Sequence, residues 1–298
     1  MSQPASASVA FKQVDVFTSR GFKGNPVAVI LDARGLDAGS MQRIATWTNL
    51  SETTFVLPPS EAAASYRLRI FTPRQELPFA GHPSVGTAHA MVEAGLVDSE
   101  TTEWVQECAA GLLPLRMEVD DDNQRLIFVR SPNAKWLPLV DTDHPHLSAA
   151  LGAAPLQQPA PQVLDNGPQW WLTEFADEAT LRQLQPDFGQ LAALTLARDA
   201  VGVAAFARST HPDYQLVVRC FCPADGINED PVTGSANACI AAWLAGHGTL
   251  PAASYRVSQG RELGRDGKLQ LRVAAEGVWV GGASVTVIDG RIALNQAG

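Results

Sequence analysis

The sequence predicts an α+β fold built as two similar halves, each a sheet around one central helix. The first observation behind this is an internal repeat. Arg69, Phe71 and Pro73 recur as Arg219, Phe221 and Pro223, an offset of 150 (69 to 219). Glu76, Pro78 and Gly81 recur as Glu229, Pro231 and Gly234, an offset of 153 (76 to 229). Each copy reads as a strand, a turn rich in Pro and Gly, and then a helix. Second, candidate strands outnumber candidate helices and show no regular βαβ alternation, which disfavours a doubly wound parallel sheet. Third, 298 residues suit about two domains. The junction is expected near 130–140, giving halves at 9–132 and 133–287. The final strand, about 288–298, would return to complete the first half.

The elements follow in order. Residues 11–17 alternate as a strand, 20–26 form a turn, and 27–31 form a second strand. Asp37 or Ser40 can cap a helix that runs to about Thr48, with Met41, Ile44 and Ala45 on its apolar side. Residues 53–57 are β-branched and aromatic, so they read as a strand that ends at Pro58 and Pro59. Residues 66–71 alternate as another. Residues 84–94 read as a buried central helix, and Gly86 in its first turn suggests close packing. Strands are expected at 103–107, 112–119 and 124–129, then a looser stretch with helical character near 147–151. The second half repeats the style. Strands are expected at 169–173, 201–207 and 214–221, a helix at 235–245, and strands at 255–258, 269–274, 278–288 and 291–294.

Composition narrows the function. Hydrophobic residues make up 46% and charged residues 18% of the chain, as in a globular domain. The net charge is −9, and no basic run occurs. A nucleic-acid or anionic-membrane surface is therefore not expected. No apolar run approaches a membrane span, and the N-terminus lacks a signal-peptide pattern. Free thiols at Cys108, Cys220, Cys222 and Cys239 in a reducing cytoplasm are the expectation. Cys220 and Cys222 lack the second cysteine pair of a zinc site. The sequence has no dinucleotide or phosphate-loop glycine pattern and no nucleophile elbow, so no cofactor and no metal are expected.

Three places carry candidate chemistry. Glu52 lies at a joint between a helix and an apolar strand, where burial would raise its pKa toward that of a general acid/base. A solvated turn glutamate is the competing reading. His82 stands at the mouth of the first central helix, whose free N–H groups after Gly81 suit a carboxylate. A capping or core-edge histidine is the equal alternative. Asp230, Gly234 and Ser235 offer the same geometry from the second copy, against a plain Asx turn and N-cap. The repeat favours function, because two matched turns entering two helices are hard to explain as unrelated caps.

Four motifs in order carry a resemblance: Gly24-Asn-Pro-Val-Ala-Val29, Asn49-Leu-Ser-Glu-Thr-Thr-Phe-Val56, the Phe71 to Pro83 segment, and Glu229-Asp-Pro-Val-Thr-Gly-Ser-Ala236. They resemble the phenazine-biosynthesis PhzF-like family, and the likeness spans about 11–290. Ser258-Gln-Gly260 and Gly264-Arg265 resemble its C-terminal signature, although Asp266 and Gly267 stand where the family often has Pro-Ser. The resemblance implies a diaminopimelate-epimerase-like fold with the site between the halves. It also implies cofactor-free proton transfer on a small cyclic or unsaturated carboxylate. The family's acid/base glutamate falls on Glu52, its histidine on His82, its aspartate on Asp230 and its serine on Ser235. Gly81, Ser84, Gly234 and Ser235 are the expected binding residues, and a homodimer is the expected assembly. Related racemases carry a cysteine before each site glycine, but here Ala80 and Thr233 occupy those places, so a two-thiol mechanism is not available. The rivals are an epimerase or racemase of a small amino or hydroxy acid, and a non-catalytic anion-binding or dimeric scaffold. A scaffold would not need Glu52, His82 and Asp230 together.

Overall fold

The computed structural model describes residues 7–98, 100–138 and 143–294. The first half contains β1 (Ala7–Val16), β2 (Asn25–Ile30), α1 (Ala38–Thr48), β3 (Glu52–Leu57), β4 (Tyr66–Phe71), β5 (Glu76–Leu77), α2 (Gly81–Glu93), β6 (Glu103–Cys108), β7 (Gly111–Val119) and β8 (Arg125–Arg130). Next come β9 (Lys135–Leu137), α3 (Asp143–Leu151), β10 (Gln162–Asp165), β11 (Gln169–Phe175), α4 (Glu178–Arg182), α5 (Phe188–Leu196), β12 (Gly202–Arg208) and β13 (Leu216–Cys222). The chain ends with β14 (Ile227–Asp230), α6 (Gly234–Gly246), β15 (Ser254–Gln259), β16 (Gly267–Ala274), β17 (Gly277–Gly282) and β18 (Ser284–Leu294).

The pairing repeats strand for strand. β2 and β3 are parallel across α1, as β11 and β12 are across α4 and α5. β4 pairs antiparallel with β5 and parallel with β6, as β13 does with β14 and β15. The meander β6–β7–β8 matches β15–β16–β17, and β8 pairs with β17 to join the halves. β18 leaves the second half to pair with β1 of the first, and β9 pairs with β10 in the same way.

Each sheet wraps a helix that is buried on nearly every side. Residues Gly81 through Val92 of α2 are all buried, and α6 is buried at ten of its positions. A helix apolar all round belongs in a core rather than on a surface. Gly86 shows how tightly α2 is held. A Cβ there would lie 2.5 Å from Val27 Cγ1 and 2.7 Å from Val16 Cγ2. Any larger residue would overpack the helix against β1 and β2.

Some expectations shift. Asp37 is the α1 N-cap, and its carboxylate accepts from Ser40 N–H at 2.7 Å, so Ser40 is capped rather than capping. α2 begins at Gly81, three residues before the expected start. Residues 278–288 are not one strand, and 291–294 are not a separate one. The chain breaks at Ala283, whose carbonyl accepts Thr18 N–H, and there it crosses from β17 in one half to β18 in the other. The helices α4 and α5 lie between two expected strands, where the sequence pattern sets no helix. Among the described residues, no helix is long and apolar enough to cross a membrane.

Candidate active site

The repeated turns bring two helix starts together on the pseudo-twofold axis. A Cβ on Gly81 would lie 3.1 Å from Gly234 Cα, and one on Gly234 would lie 3.1 Å from Gly81 Cα and from His82 N. Contacts that close are tighter than nearly all real Cβ contacts, so glycine at both positions lets the two backbones meet without displacement. Neither helix start has a side-chain cap on its N–H groups. Both open on a cavity of about 330 Å³, lined by residues of both halves. Such paired N-termini carry unmet donors and positive potential, which suit a carboxylate.

Glu52, His82 and Asp230 all line this cavity. Glu52 is the first residue of β3 and His82 the second of α2, and Glu52 Oε2 lies 3.2 Å from His82 Nε2. Both atoms are buried, and neither makes a well-directed hydrogen bond with a described residue. Burial, reinforced by the nearby Asp230 charge, pushes the Glu52 carboxyl up to about 8. Burial pushes the His82 imidazole down to about 3, against a hydrogen bond with the Pro26 carbonyl. Near neutral pH the pair is therefore a mostly protonated carboxyl beside a neutral imidazole.

Asp230 closes β14. Burial raises its pKa, while bonds from Thr233 and Asn25 oppose the rise. Asn25 Nδ2 donates to Asp230 Oδ1 at 3.1 Å and to the Val232 carbonyl at 2.8 Å. It also lies 3.4 Å from His82 Nδ1. Asn25 thus ties the histidine of one half to the aspartate of the other. Gln259 braces the α6 start. Its Nε2 donates to the Asp230 carbonyl at 3.0 Å, and its Oε1 accepts Thr233 N–H at 3.0 Å. Ser235 Oγ accepts Trp170 Nε1–H at 3.1 Å at the cavity wall. Arg74, on the turn after β4, donates to the Ala224 carbonyl at 2.7 Å, joining equivalent positions of the two copies over the cavity.

One expected binding residue lies elsewhere. Ser84 does not line the cavity; it is fully buried inside the first half. Its hydroxyl donates to the Ala80 carbonyl at 2.9 Å and accepts Gln106 Nε2–H at 3.0 Å. It sits one turn into α2, so its N–H is already taken by Ala80. Sequence reasoning did not single out Asn25, Gln259, Trp170 or Arg74. Asn25 and Gln259 lie inside motifs that carry the resemblance, which was the available signal. Nothing local marked Trp170.

Comparison with known proteins gives the family. The PhzC-PhzF family, described as phenazine biosynthesis-like protein, matches residues 14–290. The chain belongs to this family. It is 34% identical over 293 residues to the trans-2,3-dihydro-3-hydroxyanthranilate isomerase of Pseudomonas aeruginosa, covering 94% of this chain and 98% of that protein. It is 38% identical over 292 residues to the antisense-enhancing sequence 1 protein of Schizosaccharomyces pombe, covering 95% and 98%. A PhzF-family crystal structure from Bacillus anthracis superposes with a TM-score of 0.84 at 25% identity, covering 97% of this chain and all of that one. The fold is of the diaminopimelate-epimerase-like type, and this PhzF-family protein is an isomerase.

Proposed function

We propose that this PhzF-family isomerase shifts a proton between carbons of a small cyclic or unsaturated carboxylate held between the halves, without a cofactor. One observation carries the reading. A buried glutamate whose pKa is raised to about 8 touches a neutral histidine in the same cavity as two uncapped helix starts. The backbone N–H groups of Gly81 and Gly234, with Ser235, would hold the substrate carboxylate and stabilise charge that develops on it as a carbon–hydrogen bond breaks. Ionised Glu52 would take that proton, and the electron pair would delocalise along the unsaturated system. Glu52 would then return the proton at another carbon and regain its carboxylate. A carboxyl with a pKa near the working pH is suited to both halves of this exchange. His82 and Asp230, linked through Asn25, would hold polar groups of the substrate.

The side chains favour this over its rivals. Ala80 and Thr233 line the cavity where a two-thiol racemase needs cysteines. Among the described residues, no three His, Cys, Asp or Glu side chains group as a metal site requires. The Pseudomonas relative's named substrate is the first compound to try. Turnover of trans-2,3-dihydro-3-hydroxyanthranilate and other cyclohexadiene carboxylates in deuterated water, followed by NMR, should place deuterium on a product carbon. A substrate that turns over as fast with Glu52→Gln as with the wild type would refute the assignment.

A further inference from the structure

On the carboxylate reading given above, we propose that Trp170 is a positioning residue that makes the Ser235 hydroxyl a fixed donor toward the substrate carboxylate. Trp170 is the second residue of β11 and Ser235 the second of α6, and both line the cavity. The indole Nε1 lies 3.1 Å from Ser235 Oγ. An indole N–H only donates, whereas a serine hydroxyl both donates and accepts. The direction of this bond is therefore fixed: Oγ accepts, and its own proton is left over. Among the described residues no acceptor takes that proton. The backbone of Ser235 is held as well, since its carbonyl accepts Asn166 Nδ2–H at 3.0 Å. The spare proton turns away from the indole, and the cavity is the side left open to it.

The repeat shows how the indole is held. Thr53 pairs with Phe71 and Val203 with Phe221, an offset of 150 on both strands (53 to 203, 71 to 221), so Gly202 is the second-half counterpart of Glu52. A Cβ on Gly202 would lie 2.4 Å from the Phe221 carbonyl oxygen, 2.8 Å from Cys222 Sγ and 2.9 Å from Trp170 Cζ3. No side chain fits there beside the indole. The second half thus carries no counterpart of the Glu52 carboxyl, and the six-membered ring of Trp170 packs on that spot instead. The opposite edge of the indole, which bears the N–H, faces Ser235. The bond is particular to this indole, because the buried Nε1 atoms of Trp104, Trp171, Trp243 and Trp279 find no partner.

A serine near a helix start without such a partner is free to rotate and to bond the local backbone instead. Trp170 removes that freedom, and a donor already aimed at the anion needs no reorganisation when the substrate arrives. His82 holds the equivalent place in α2, 153 residues earlier (82 to 235), and Asn25 of β2 flanks it at 3.4 Å. Each helix start therefore carries a polar residue braced from the neighbouring strand, by Asn25 of β2 in one half and by Trp170 of β11 in the other.

Calorimetric titration of the full chain with benzoate, run as a double-mutant cycle, tests this. Trp170→Phe keeps a ring and removes the N–H, and it should weaken benzoate by about tenfold, the scale of one hydrogen bond to a charged group. Ser235→Ala should weaken it by about as much or more. In the Ser235→Ala background, Trp170→Phe should cost no more than about twofold, because the group it acts through is gone. Equal losses in both backgrounds would mean that the ring only supports the wall, and would overturn the proposal; so would full affinity in Trp170→Phe. A wild type that does not bind benzoate would overturn the carboxylate reading and this role with it. Proton NMR of the wild type and of Ser235→Ala gives a second test that needs no change at Trp170. One of the seven tryptophan N–H resonances should move upfield in Ser235→Ala as its acceptor is lost, and an unchanged indole spectrum would rule the bond out.

Discussion

Gly81 and Gly234 lie 153 residues apart (81 to 234), yet a Cβ on either would sit 3.1 Å from the Cα of the other. Their contact brings the two helix starts to one point, at one cavity lined by both repeats. Gly81→Ala should force the helix starts apart, because the atoms in the way are backbone and cannot swing aside. We expect a stability loss of ~1–3 kcal/mol, as for overpacking, and at least tenfold weaker carboxylate binding. Thermal unfolding and calorimetric titration with benzoate measure both, and unchanged affinity would show that the helix starts do not hold the anion.

The cavity should bind anions in the wild type. Phosphate, sulfate or benzoate should raise the melting temperature through preferential binding to the native state. A rise no larger than that given by matched chloride would count against the carboxylate site.

Glu52→Gln should lower turnover by about 10²–10⁴-fold, the usual range for loss of a general acid/base. It should also change the pH dependence of stability. The Glu52 pKa rises on folding from 4.5 to about 8. Its contribution is thus fully present below pH 4.5 and is lost as pH rises through 8. The variant lacks this loss, so its melting temperature should overtake the wild type between those values and stay above it at pH 9. His82 runs the other way. Its pKa falls on folding from 6.5 to about 3, so its stabilisation is present above 6.5 and fades as pH falls toward 3. Parallel melting curves for the two proteins across pH 4–9 would argue that Glu52 is not raised.

A reaction that begins with base removal of a proton needs ionised Glu52. kcat/KM should therefore climb through pH 7 and level off above about 8. A profile that is flat or falling from pH 6 to 9 would place the first proton transfer on another group.

Activity should survive chelation and dialysis. On the proposed reading, Glu52 with its raised pKa would carry the proton and the two helix starts would supply the positive potential. Loss of turnover with chelator and its return with a single added metal would sink the cofactor-free reading.

The sequence by itself determined the repeat, most strands, both central helices and the residue types of Glu52, His82 and Asp230. These are local or periodic signals: alternation, breaker residues, and matched turns at one offset. It also placed Gly86 as a packing glycine, because a glycine inside a helix that does not break it needs a neighbour to explain it. Only the tertiary structure decided the rest. Which of two caps holds α1 depends on Asp37's geometry. Whether Ser84 meets substrate depends on one helical turn, and that turn buries it. The break at Ala283 reflects a strand changing halves, which no local pattern encodes. Asn25 acts only because folding brings Asp230 within 3.1 Å of it across 205 residues. The Glu52 pKa is likewise a property of enclosure, since a carboxyl shifts by losing water, and only the closed cavity between the halves removes it.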